Sequence, residues 1–286
     1  MPALTPQRLL LAPVFCLASC LPINRYVYRA NPINLPGQLE KGESRVTVAA
    51  GGNAAIGPPD GLGGVDVQAA YAVSDRMTLL GGFSNRSGNQ TGRNDYPPLF
   101  SPQTRDTNDE SYLHYRNDTW ELGLAYNFHF RRRVGLSLAA GGGGGSYRID
   151  DHGALHDTLY NAYLHTRLLQ WFIQPAMVFK AKKVIELGVG VRLSSSSYSR
   201  LSTSYPDDRQ HAFDVNGLQG NTLFMIQPFW WMTLRPHLPW LQIHMQMSIN
   251  AGGPNTSPGP GDNYSYYWLN GGVGVTVDPI RLFTKL

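Results

Sequence analysis

This chain is short of charge, of long apolar runs and of cysteine. Only 15% of its 286 residues are Asp, Glu, Lys or Arg, against about a quarter in ordinary soluble domains. Beyond the first twenty residues no run of about 18 apolar residues occurs, which excludes a membrane-crossing helix. The only cysteines are Cys16 and Cys20. With no Cys pair, no His-x-x-x-His and no EF-hand loop, no metal site is expected. The run Gly141 to Gly145 has no Lys-Ser/Thr after it, so it is no phosphate loop, and no cofactor is expected. The net charge is +4, and the basic residues are scattered rather than striped, which argues against nucleic acid.

What the chain has is glycine (31), tyrosine (15) and strict alternation. In Thr119 to Phe130 one face carries Trp120, Leu122, Leu124, Tyr126, Phe128 and Phe130. The other carries Thr119, Glu121, Gly123, Ala125, Asn127 and His129. Ile185 to Ser194 and Leu241 to Asn250 repeat the pattern. A period of two belongs to strands, not helices. A soluble sandwich would load its polar face with Lys and Glu. Here that face is Gly, Ser, Asn and Gln with isolated charges, as a narrow lumen requires. The fold class is therefore all-β: a transmembrane antiparallel up-and-down β-barrel of about ten strands.

The ten segments are 45–53, 62–73, 76–86, 116–130, 133–148, 163–180, 183–197, 219–234, 239–252 and 264–277. Eight or twelve strands remain open, since a weak segment such as 45–53 could lie outside the wall. Short turns near Ser74-Asp75, Arg131-Arg132, Ala181-Lys182 and Arg235-Pro236-His237 alternate with longer polar segments at 87–115, 149–162, 198–218 and 253–263. Outer-membrane barrels have short periplasmic turns and long outer loops, so both termini are expected in the periplasm. Ile173-Gln174-Pro175 and Ile226-Gln227-Pro228 recur in equivalent strands. Proline cannot donate to a ladder, and matched bulges are expected there.

The N-terminus has one basic residue, Arg8, an apolar run from Leu9 to Leu17, then small residues, the layout of a signal peptide. Leu17-Ala18-Ser19-Cys20 resembles the lipobox of bacterial lipoproteins. The resemblance implies cleavage before Cys20, acylation of that cysteine (a palmitate-type lipid) and an anchor in the inner leaflet. The organisation is then signal peptide 1–19, periplasmic tether 20–44, barrel 45–278 and short periplasmic tail 279–286. Cys20 would be the only mature cysteine, leaving no intrachain disulfide.

Candidate chemistry is sparse. Asp66, Glu121, Glu186, Arg192 and His244, with His129, His165 and Arg167, fall on expected inward rows. They form a structural ion-pair network or a selectivity ring in a pore. Trp120, Tyr126, Phe128, Phe130, Trp171, Phe179, Trp230, Trp240, Tyr267 and Trp268 suit interfacial girdles. Asp150-Asp151-His152 and Asp207-Asp208 with His211 are the loop residues that could activate a water, as in rim proteases of the omptin type. The surrounding residues do not align with that family, and catalytic residues are not expected.

The Leu17-Ala18-Ser19-Cys20 ending, the ten alternating segments and the Gly-rich strand Gly271 to Val277 together resemble small outer-membrane β-barrel proteins of Bacteroidota-type Gram-negative bacteria. This implies a lipid-anchored outer-membrane barrel, not an enzyme, that displays loops 87–115 and 198–218 to a ligand or partner. Its partners would be outer-membrane lipid and, as an accessory subunit, another outer-membrane protein. A narrow channel is the first alternative and a rim hydrolase the second.

Overall fold

The computed structural model describes residues 26–28, 31–34, 39–54, 62–93, 110–131, 133–155, 158–181, 184–205, 218, 222–236, 238, 240–254, 265–266 and 269–283. Ten antiparallel strands form the wall: β1 (Ser44–Ala54), β2 (Leu62–Ala72), β3 (Met77–Arg93), β4 (Glu110–Arg131) and β5 (Val134–Leu155). They continue as β6 (Thr158–Ala181), β7 (Ile185–Thr203), β8 (Thr222–Leu234), β9 (Leu241–Ile249, resuming at Ala251–Pro254) and β10 (Leu269–Val277). Each strand pairs with the next, and β10 closes on β1 from Leu269 opposite Ala54 to Val277 opposite Val46. The hydroxyls of Thr47 and Thr276 meet at 2.6 Å inside this seam. A single-turn helix, α1 (Pro279–Phe283), follows β10 at the short-turn end.

The side chains obey the alternation. Leu122, Leu124, Trp171, Ile173, Val189 and Val273 point outward and are about half exposed or more. A contiguous apolar belt of this extent is built for hydrocarbon, since water-soluble monomers do not carry one. Trp120 stands near the long-loop edge of the belt. Tyr126 stands near the other edge, where its hydroxyl accepts from Arg76. Trp171 and Trp230 also face outward; Trp231 points inward and is fully buried. The side chains of Phe130, Tyr267 and Trp268 lie outside the described residues.

Several strands outrun their expected limits. A membrane-crossing strand needs about 9–11 residues, whereas β4, β5 and β6 have 22, 22 and 24. Much of what reads as loop at 87–115, 149–162 and 198–218 is thus continued wall. The reason is a reversal of polarity along the same strands. Below Trp120 the outward row of β4 is Leu122, Leu124 and Tyr126, and the inward row includes Thr119 and Glu121. Above it the outward row is Arg116 and His114, and the inward row is Leu113 and Tyr115, both buried. β5 and β6 change the same way. Arg148, Asp150, His165 and Arg167 face out, while Tyr147, Ile149, Ala162 and Leu164 are buried inside. His165 and Arg167 are therefore outward residues, a correction to their expected inward placement. Lipid outside favours oily outer rows, and water outside favours the reverse.

The two prolines do not make bulges. The β6–β7 ladder stops at Ile173 opposite Leu193 and resumes at Ala176 opposite Gly190 with the same offset. The β8–β9 ladder skips Gln227 and Pro228 and likewise resumes without a shift. Missing amide donors leave gaps in the bonding, but no extra residue is inserted.

The stretch expected to be a periplasmic tether also differs. Asn31, Pro32 and Ile33 are buried inside the barrel, and so is Leu39. Ile33 packs with Ala176, Val178, Phe229 and Trp231; Leu39 packs with Ala70, Ala72, Leu80, Ala125, Ala139 and Phe172. In its described part the tether is an internal plug. A ten-stranded wall leaves apolar side chains and a gap along its axis, and the plug fills both.

Inward glycines make room for the large inward rings. A Cβ at Gly188 would overlap the Trp231 indole, and one at Gly190 would press on Phe229. Gly188→Val should therefore destabilise the barrel by about 1–3 kcal/mol, the usual cost of overpacking. Urea titration in detergent micelles reads this. Adding Trp231→Ala should recover part of the loss, and no recovery would refute the steric account.

Candidate functional site

The interior is the region where unusual chemistry collects, and three clusters of charge divide it. In the first, β2 and β3 face Asp66 to Arg86. The guanidinium makes a forked contact, with Nε donating to Oδ1 at 2.9 Å and the terminal nitrogen to Oδ2. Ser84 donates to the same carboxylate at 2.5 Å, and Arg86 reaches on to Asn270 at 3.0 Å. Both charged side chains are essentially fully buried. Gly64 lies opposite Arg86, and a side chain there would collide with it.

The second cluster joins wall to plug. Arg192 on β7 pairs with Glu121 on β4 and lies 4.0 Å above the ring of Phe172. Glu121 accepts from the Asn31 amide at 2.7 Å, and Thr119 donates to the Asn31 carbonyl oxygen at 2.8 Å. Further along, the Asn34 amide donates to the backbone oxygens of Gly81 (2.7 Å) and Ala69 (3.1 Å). The plug is thus held by neutral amides seated on the wall's charges and carbonyls.

The third cluster sits toward the short turns. Glu186 receives Arg235 at 2.8 Å and Arg45 at 3.6 Å. Beside it His244 is buried, 3.4 Å from the Thr233 hydroxyl and stacked near Trp231 at 6.0 Å between ring centres. A small polar cavity of about 10 Å³, room for about one water, lies here among Arg45, Thr47, Gln68, Gln242 and His244. Several buried polar atoms of the lumen, including Gln68 Nε2, Gln242 Oε1 and Ser137 Oγ, have no hydrogen-bond partner among the described residues, which fits internal water.

Asp66, Glu121, Glu186, Arg192 and His244 therefore all point into the lumen, in three separate groups rather than one ring. The side chain of His129 lies outside the described residues. Sequence reasoning missed Arg86, Arg45 and Asn31. Arg86 was within reach, because outward Phe83 fixes the parity that sends Ser84 and Arg86 inward. Asn31 carried no such signal, since a plug has no alternation.

At the long-loop end the strands enclose a second, mostly apolar core of Leu113, Tyr115, Tyr147, Ile149, Ala162, Leu164 and Tyr205. Asp151 is buried there and accepts from Tyr205 (2.6 Å) and Tyr160 (3.0 Å). Asp150 faces the other way, paired with Arg148 at 2.9 Å, and His152 is exposed on that same outer face. Asp151 and His152 thus point to opposite sides of the wall and do not meet. Asp207, Asp208 and His211 lie outside the described residues, as does Cys20.

No family model matches the chain, and no curated protein matches it either. Among solved structures, it is similar to the outer membrane protease OmpT from Escherichia coli at 11% identity and a TM-score of 0.43, covering 83% of this chain and 94% of that one. An outer membrane channel from Pseudomonas putida F1 aligns at 9% identity and TM-score 0.34, covering 87% and 100%. OprB from Pseudomonas putida aligns at 10% identity and TM-score 0.22, covering 83% and 91%. Likenesses at this level assign neither activity nor location.

Removing one partner of a buried ion pair leaves the other charge uncompensated, at about 3–5 kcal/mol. Arg86→Ala should show a loss of that size in urea unfolding, and Asp66→Asn added to it should return a substantial part. Strictly additive losses would show that the two do not act as a pair.

Proposed function

We propose that this protein is an outer-membrane barrel, lipid-anchored through Cys20, whose role is structural or binding rather than catalytic. The barrel carries an outer crown and long loops that it displays to a ligand or to a partner in the same membrane. The observation that carries this reading is the occupied lumen. Asn31, Ile33, Asn34 and Leu39 lie along the axis, and the Glu121–Arg192 pair and the Arg86–Asn270 contact reach across the bore. Among the described residues the bore is thus occupied, which supports display over free passage of solutes. The crown supports display, because it is a folded apolar core outside the oily belt whose outer rows are mostly polar. With the short turns taken as periplasmic, that surface faces the exterior. Outer-membrane placement rests on the apolar belt together with the signal-like N-terminus, and the lipid rests on Leu17-Ala18-Ser19-Cys20.

A gated channel is the second reading, favoured by the way the plug is held. Among the described residues, Asn31 and Asn34 meet the wall only through hydrogen bonds of their own neutral groups, both given and received. A rim hydrolase gains no support from Asp151 and His152, which face apart.

Planar bilayer recording separates display from conduction. The full-length protein should be silent, and deletion of residues 26–38 should yield discrete conductance steps that Glu121→Gln alters. Steady conductance by the full-length protein would overturn the display reading in favour of a channel. Separately, labelled palmitate should be incorporated by the wild type and lost in Cys20→Ser. Equal incorporation by both would remove the anchor.

A further inference from the structure

The plug has a direction. Tyr26–Tyr28 pairs in parallel with Ser265–Tyr266, which precede the long-loop end of β10. Asn31 then bonds at the level of Thr119 and Glu121, and Asn34 at the level of Ala69 and Gly81. Leu39 reaches Ala72 and Leu80, near the opposite mouth. The Lys41 amide donates to Asp75 in the β2–β3 turn at 3.0 Å, and the Gly42 amide donates to the Ala72 carbonyl at 2.8 Å. From Tyr26 to Lys41 each contact lies nearer the short turns than the one before it, and at Gly42 the chain turns back. The chain thus enters at the long-loop mouth, passes along the axis and turns back into β1.

We propose that the mature N-terminus is presented on the long-loop side, the cell surface, so that an acyl group on Cys20 would lie in the outer leaflet. This deepens the reading above and rests on two of its parts, the outward orientation of the long loops and the acylation of Cys20. Chain reach carries the argument beyond Tyr26. Cys20 is six residues upstream, and six residues span at most about 21 Å. The belt to be crossed is about 25 Å tall, and the bore is already occupied by Asn31, Pro32, Ile33 and Leu39. The lipid surface within reach is the one at the mouth where the chain enters. An anchor in the inner leaflet would require the segment to leave the lumen and give up every contact just described.

The test is the labelling of single introduced cysteines by a membrane-impermeant maleimide, with folding checked by unheated gel mobility. Asn24→Cys is the probe, Thr107→Cys marks the long loops and Lys182→Cys marks the short turns. On intact cells Asn24→Cys should be labelled to a similar extent as Thr107→Cys, with Lys182→Cys labelled only after permeabilisation. Labelling of Asn24→Cys only after permeabilisation, together with Lys182→Cys, would overturn the inference while leaving the barrel's orientation intact. If Lys182→Cys is reached from outside and Thr107→Cys is not, the orientation fails and the surface placement fails with it. The wild type should remain unlabelled because the Cys20 sulfur is a thioether. Labelling of the wild type would remove the lipid and overturn the outer-leaflet anchor, whereas the side on which Asn24 lies is read independently.

Discussion

Every backbone amide and carbonyl of a sheet in hydrocarbon must find its partner within the sheet, because the surroundings offer none. That requirement forces β10 onto β1, and the register from Leu269–Ala54 to Val277–Val46 meets it. Once the wall is closed, the two faces of each strand meet different solvents. The outer belt can be uniformly oily, whereas the inner face must be filled by groups that satisfy one another. Pro175 and Pro228 mark the limit of this economy. Each removes an amide from the ladder, and the sheet tolerates the gap without changing register.

Filling the interior is the second consequence. Ten strands enclose too little space for a wide aqueous channel and too much for wall side chains alone to occupy. Large rings sit over small residues, as Trp231 does over Gly188 and Phe229 over Gly190. The rest is taken by buried ion pairs and by a length of the protein's own chain. A buried pair is weak evidence for stability in itself. Here Asp66–Arg86 and Glu121–Arg192 also fix position, since each reaches beyond its partner. Arg86 contacts Asn270 on the closing strand, and Glu121 contacts Asn31 on the plug.

The wall was legible in the sequence because alternation reports which face meets lipid, and all ten strands fall where the alternation places them. Legibility ended where the surroundings changed. In β4 the period of two continues past Trp120, yet polarity changes sides, so a reading keyed to oily outer rows stops at residue 116 while the strand continues to Glu110. His165 and Arg167 were misplaced for the same reason. They belong to the part of β6 whose outer side meets water. The interior was half legible. Parity sends Asp66, Glu121, Glu186, Arg192 and His244 inward, but parity says nothing about which of them meet across the bore. Nor could it reveal the plug, because Asn31, Pro32, Ile33 and Asn34 look like any extended, proline-containing linker until a cylinder is placed around them.

The threaded segment makes ring and strand mechanically interlocked, like an axle through a wheel. Once β1 and β10 are zipped, the axle cannot swing free sideways; it leaves only by being drawn end-on through the hub. Residues ahead of Asn31 therefore reach their place either end-on through the closed ring or by lying across the open sheet before its two edges join. Anything bulky fixed to the leading end afterwards would act as a stopper, holding the axle in place without a single additional bond.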